Sequence, residues 1–402
     1  MKKNCILSAL VFIAGILTAQ NNIQWRGTDR TGNYYEKNLQ KSWFTNAPKL
    51  LWHYNGLGEG HSSVAIDSEK IYLSGLINKK GFIYVFDLNG KLLNKKEYGP
   101  EWAENYNGPR GTLTINEGKI YLISGVGNLY CFDQNTLKVI WEKNILSEFG
   151  ASNIRWGINE APLIIGDMII ATPGGKKHNV VALNKNSGDL IWSSPGEGDN
   201  AAYCSPIYIS DQQVPQIVTM TANHIIGIDA ATGEKLWSHK NTNRWSVHAN
   251  TPVYYKNMIL CTSGYGKGST MLKLTNGGRK VEVAWVSSDL DSRIGAMVRV
   301  GDYVYGSGDN NKFWFCVDWN TGEIKWKNKD LAIGNVIAND GFLYCYTEKG
   351  DMVLVKATPQ KFEMTGKFKI TLGTEQHWAH PVIYKGVLYV RHGNTLMAYN
   401  IK

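Results

Sequence analysis

The sequence predicts an all-β ring, an eight-bladed β-propeller, on three observations. A weak repeat of roughly forty to fifty residues ends in tryptophan: residues 182–192 read ALNKNSGDLIW, 227–237 read GIDAATGEKLW and 316–326 read CVDWNTGEIKW. Each is an apolar strand, a turn carrying Asp or Asn and Gly, and a second strand closing on Trp. The closing position recurs at Trp52, Leu93, Trp141, Trp192, Trp237, Trp285, Trp326 and Phe368, a spacing of about forty-five residues that matches one propeller blade. After Phe368 come strands at 381–384, 387–391 and 396–400 without a Trp-bearing partner. The run Leu50-Leu51-Trp52-His53-Tyr54, with no strand of its own before it, supplies the missing one. Pairing the two ends leaves no open edge. Because Leu93 and Phe368 are degenerate closers, seven blades and an irregular strand pair are the alternative.

From the N-terminus, Lys2 and Lys3 precede an apolar stretch from Ile6 to Leu17, followed by Thr18-Ala19-Gln20. That pattern is a secretory signal peptide over 1–19, too short for a membrane span. Gln20 stands where a lipoprotein would carry Cys, so an exported chain, periplasmic or secreted, is expected. Residues 20–48 are expected to pack on the ring, and 49–402 to form it. No long stretch has helical periodicity, whereas Lys119–Ile123 and Phe342–Tyr346 alternate as strands do. Forty-two glycines in 402 residues fit a chain that turns every few residues.

Beyond the leader, Cys131, Cys204, Cys261, Cys316 and Cys345 are odd in number and sit in or beside apolar runs, as free cysteines do. No CxxC, HxxxH or HExxH spacing occurs, so no metal site is expected. The net charge of +9, or +7 without Lys2 and Lys3, favours acidic partners. No basic cluster alternates with aromatics as a nucleic-acid module would require. A monomer that binds no nucleic acid is expected.

The blade pattern Asp-x-x-Thr-Gly-x-x-x-Trp resembles the pyrroloquinoline-quinone-like (PQQ-like) repeat of a β-propeller family. The opening Trp25-Arg26-Gly27 with Asp29-Arg30-Thr31-Gly32 resembles a secreted bacterial subgroup. The resemblance implies a propeller with structural tryptophans. It also implies either quinoprotein dehydrogenase activity or a non-catalytic scaffold like the barrel-assembly lipoprotein. The dehydrogenases would need an adjacent Cys-Cys disulfide, calcium on Glu and Asn or Asp, and an Asp base. This sequence has no Cys-Cys pair; Asn159 and Glu160 could serve calcium, but no matching Asp base can be placed. Neither PQQ nor calcium is therefore expected.

Function is sought where the segments leading into each inner strand crowd the channel mouth. Those segments carry Glu59 and His61; Asn107 and Arg110; Arg155, Trp156, Asn159 and Glu160; Asp199, Asn200 and Tyr203; Arg244, Trp245, His248 and Asn250; Arg293; Asn335; and Glu375, Gln376, His377, Trp378 and His380. Two glycine-rich connections add Lys176, Lys177, His178, Tyr265 and Lys267. The arginine fork suits carboxylate or sulfate, and aromatic faces suit sugar rings. An acidic oligosaccharide, uronic or sulfated, is the expected ligand. The expected chemistry is β-elimination by a lyase or dehydratase. Arg110, Arg155, Arg244 and Arg293 would grip the acid, and His248, His380, His61 or Tyr203 would move the proton. Trp156, Trp245 and Trp378 would stack on the sugar, with Asn159, Glu160, Asn250 and His377 in support.

Overall fold

Each Trp-closed repeat folds as one antiparallel meander, since none could bury its apolar strands alone. The computed structural model describes residues 23–294 and 297–402, so the expected signal peptide lies outside the described residues. Blades 1 to 7 draw their strands from 65–100, 114–144, 163–194, 207–240, 253–287, 298–328 and 334–369. Blade 8 takes Val382–Tyr384, Val387–His392 and Thr395–Asn400, and its outer strand is Lys49–Tyr54. Lys49 lies opposite Asn400 and Tyr54 opposite Leu396, which is the closure the sequence predicts, with eight blades rather than seven. One expectation is corrected: a short strand, Asn33–Tyr34, precedes the closing strand and pairs in parallel with Gly334–Asn339 of blade 7.

Inner and middle strands are buried on both faces between neighbouring blades, so they read as unbroken apolar runs such as Leu129–Phe132. Outer strands face solvent and are far more exposed, as in Val139–Asn144. In blades 1 to 4 and 6 the turn before the outer strand is built by its Asp or Asn. Asp318 Oδ1 accepts from the amides of Asn320 and Thr321, and Gly322 follows at φ +75°, a left-handed conformation that favours glycine.

That glycine serves a second purpose. The Trp of the preceding blade lies on it: Trp52 on Gly90, Trp141 on Gly188, Trp192 on Gly233 and Trp285 on Gly322, all so close that a Cβ would collide. The indole N–H then donates to a carbonyl of the same turn, from Trp52 to Leu88 (2.9 Å), Trp141 to Lys185 (3.0 Å), Trp192 to Ala230 (3.2 Å) and Trp285 to Trp319 (3.0 Å). Trp326 does the same to Thr358 (2.8 Å). Trp237 instead donates to Gln216 within its own blade (2.7 Å).

The two degenerate closers, Leu93 and Phe368, lie one and two residues off the structural closing position. Every outer strand carries a bulge just before the closing position, and register puts Asn94 rather than Leu93 there in blade 1, and Gly366 rather than Phe368 in blade 7. Both vacancies are filled. In blade 2, Leu137 stands at φ +55° where other blades have glycine, and it is 1% exposed. In blade 7, Trp43 from the N-terminal segment lies over Gly366, its amide donating to the Thr365 carbonyl (2.9 Å).

The rest of that segment enters the channel. Ile23 accepts from the Ile115 amide of blade 2, and Trp25 Nε1 donates to Thr251 before blade 5 (2.8 Å). Arg30 donates to carbonyls of Ala161, Pro162 and Pro206 before blades 3 and 4, and Arg26 to Met297 before blade 6 (2.7 Å). Tyr34 ends the crossing against blade 7 and the Pro381 carbonyl before blade 8. Residues 23–34 thus stopper the ring.

Candidate functional site

Above the stopper, the segments entering the inner strands enclose a cavity of about 170 Å³. Its walls bring together His61, Arg110, Trp156, Asn159, Tyr203, Tyr265, Arg293, Trp378 and His380, all anticipated from the sequence, with Tyr106, Thr112, Ala161, Ser205, Val247, Ala249 and Ile294. Trp25 completes the lining from the stopper.

Period-two alternation at most strand entries decides which residues reach the cavity, though Arg293 and Ile294 both do. Asn159 and Ala161 line it, so Glu160 between them does not. Val247 and Ala249 line it, so His248 does not. Trp378 and His380 line it, and His377 does not.

Four expected site residues are therefore corrected. His248 is wholly buried, its Nδ1 on Ser263 Oγ (2.7 Å) and its Nε2 on the Ala222 carbonyl (3.2 Å), as a satisfied core histidine. Asn250 ties blades together by donating to the Thr262 and Ser292 carbonyls. Glu160 accepts from the Thr172 amide (2.9 Å), and burial pushes its pKa up to about 8. His377 stacks on His392, with ring centroids 3.6 Å apart, and meets Tyr346 Oη at 2.5 Å.

Three others form a rim. Arg155 lies 5.1 Å from the Trp156 and Trp245 ring centroids, and Arg244 5.0 Å from that of Trp245. These exposed cations pack on aromatic faces that meet edge-on at 6.4 Å.

Inside, Arg293 is already engaged, by Asp309 (3.2 Å) and Glu348 (2.9 Å). Burial opposes its charge, but those two carboxylates outweigh burial and raise its pKa. Arg110 differs: its Nε and Nη2 are buried and make no hydrogen bond. Burial lowers its pKa to about 10, which leaves it charged at neutral pH. Both ring nitrogens of His61 and Nδ1 of His380 are likewise buried without a partner. Burial first, then Arg391 and Arg110, holds His61 down to about 3, and burial with Arg26 drives His380 well below the usual histidine range. Both are neutral at pH 7. Aromatic faces surround these groups: Trp378 lies 5.1 Å from His61 and 5.0 Å from Tyr106, and Trp25 lies 4.5 Å from His380. Tyr203 Oη accepts from the Trp156 amide (3.3 Å), and burial pushes its pKa up to about 12.

The sequence reading missed the stopper's role at the site. Its signal was two arginines beside a tryptophan within a few residues, which only the channel explains.

A stoppered ring of eight such repeats, with an aromatic cup on its axis, is a PQQ-repeat β-propeller. The family model described as outer membrane protein assembly factor BamB matches residues 79–207 and 174–363, so the chain belongs to that family. Among solved structures, it resembles BamB from Moraxella catarrhalis at 14% identity, covering 88% of this chain and 98% of that one, with a TM-score of 0.64. It also resembles quinohemoprotein alcohol dehydrogenase from Comamonas testosteroni at 13% identity, covering 95% and 80%, with a TM-score of 0.70. These likenesses show the fold. A quinoprotein ethanol dehydrogenase of Pseudomonas putida is 24% identical over 155 residues, which span 34% of this chain and only 25% of the dehydrogenase.

Proposed function

We propose that this chain is an exported binding propeller whose cup holds a small acidic saccharide. The observation that carries the reading is Arg110, half-buried, with Nε and Nη2 buried and unmatched in a wall of aromatic faces. A buried donor without an acceptor is costly. A carboxylate or sulfate satisfies the fork in two bonds, while Trp156, Trp378 and Tyr106 offer flat surfaces for the ring.

The geometry favours binding over the elimination expected from the sequence. His248 is out of reach, His61 and His380 are too weakly basic, and Tyr203 holds its proton too tightly for transfer near neutral pH.

A quinone with calcium fits poorly. Among the described residues no carboxylate lines the cup, Glu160 is turned away to Thr172, and all five described cysteines are free and buried. The scaffold reading rests on a different observation, membership of a family described as an outer-membrane assembly factor. It leaves the orphaned Arg110 without a role.

Isothermal titration with glucuronate, galacturonate and their neutral parent sugars tests the proposal. Saturable binding of an acid, absent for its neutral parent and weakened tenfold or more in Arg110→Gln, is expected. Equal behaviour of acid and neutral sugar would refute it. Incubation with uronate oligosaccharides should produce no new ultraviolet-absorbing double bond; its appearance would restore the lyase.

A further inference from the structure

The shell around the cup carries buried arginines that form no ion pair among the described residues. Arg26 and Arg30 lie in the stopper and Arg391 behind His61, all buried. Their guanidinium groups donate to neutral acceptors. Arg26 reaches the Met297 carbonyl (2.7 Å), Arg30 the Pro206 carbonyl (2.8 Å), and Arg391 the Ser74 carbonyl and Ser62 Oγ (both 2.6 Å). Nη1 of Arg26, like Nε and Nη2 of Arg110, has no partner. Among the described residues, none of these four arginines forms an ion pair within 4.0 Å, in contrast to Arg293 with its two.

Two buried carboxyls, Glu101 near Arg110 and Glu160 near Arg30, act on those charges from a distance, but neither is hydrogen-bonded to an arginine. Glu101 accepts from Tyr98 Oη and the amides of Trp102 and Gly125, and Glu160 from Thr172. Buried charges are ordinarily paired, and arginine cannot escape by losing its proton.

We infer that the ligand of the cup is a small anion carrying at least two negative charges, because one arginine without an ion pair lines the cavity and three more lie behind its wall. This rests on reading the cup as the binding site. Arg110 would contact the ligand. Arg30 donates to the carbonyl of Ala161, which lines the cup, so it acts through the floor as a positioning charge, as do Arg26 and Arg391. A neutral sugar would leave this charge uncompensated, and a monoanion would answer only part of it.

The test is titration of the full chain with three probes on one ring: glucose, glucuronate and a glucuronate monosulfate. The dianion should bind at least tenfold tighter than the monoanion, and glucose not measurably. Arg30→Gln should bring the dianion-to-monoanion ratio towards one, and Arg30→Lys, which keeps the charge, should preserve the preference. If Arg30→Gln does not fold, Arg110→Gln reads the same ratio from the wall. Equal wild-type affinities for the two anions would overturn this inference and leave the cup reading intact. Binding of neither anion would overturn both.

Discussion

The seam between blades 3 and 4 and the seam between blades 1 and 2 solve one packing problem in two ways. In the first, Trp192 lies on Gly233 and donates to Ala230. In the second, Asn94 stands in the place of the tryptophan and Leu137 in the place of the glycine. The donor blade has lost its large residue, and the receiving turn has gained one. Leu137 accepts a left-handed backbone, costly for a leucine, to fill that volume. Blade 7 shows a third solution, with Trp43 brought from outside the repeat. A seam therefore needs a filled volume, and either side of it can supply the atoms.

The hardest way to break this comparison is to remove the shared condition of closure. Deleting residues through Tyr54 takes away the outer strand of blade 8, Trp43 and the stopper together. Cooperative unfolding should disappear; a truncated chain that melts like the full one would contradict the role given to these residues.

Next in size are single fillings. Trp192→Ala and Trp43→Ala should each cost about 3–5 kcal/mol and Leu137→Ala about 2–5 kcal/mol, as large-to-small changes in buried sites do. Denaturant unfolding reads these losses, and values below about 1 kcal/mol would mean that the seams relax freely.

A reciprocal exchange sharpens the point. Asn94→Trp should clash with Leu137, and Leu137→Gly should leave a void, so each alone destabilises. The pair together recreates the commoner seam and should recover about 0.5–3 kcal/mol relative to additivity. Strict additivity would show that the two positions do not share a seat.

A pH profile reads the proton held behind the cup wall. Glu160 is raised from 4.5 to about 8 by burial, with Thr172 and Arg30 opposing. Its folded form holds the proton more tightly than the unfolded chain does. The stability it contributes is full below pH 4.5 and is lost as pH rises through about 8. Glu160→Gln should therefore flatten the decline in Tm over that window; an unchanged slope would argue against a proton held there.

Smallest of all, Arg155→Ala and Arg244→Ala at the exposed rim should change stability by no more than about 0.5 kcal/mol.

The ring was legible because the Trp-and-turn pattern is strong in several repeats, and because the last repeat visibly lacked its outer strand. Residues 94 and 366 escaped because a bulge shifts the count by one and neither position holds an aromatic. At the mouth, position along the chain is readable, but facing follows only once each strand's start is fixed. The same alternation that places Asn159 and Ala161 in the cup excludes Glu160, and it would have excluded His248 once Val247 and Ala249 were set. Trp25 and its arginines belong to no repeat, so periodicity could not place them; only the three-dimensional crossing of the channel does.

The pairing of Lys49 with Asn400 also orders events in time. A chain grows from its N-terminus, so the residues destined for the stopper and for the outer strand of blade 8 emerge first. Their seats are completed only when the last strand arrives. At about 5–20 residues per second, the interval is tens of seconds, during which Leu50, Leu51 and Trp52 have no partner strand. The youngest and oldest parts of the polypeptide must wait for each other, which makes this one seam the point where a holding chaperone or a competing strand would act most effectively.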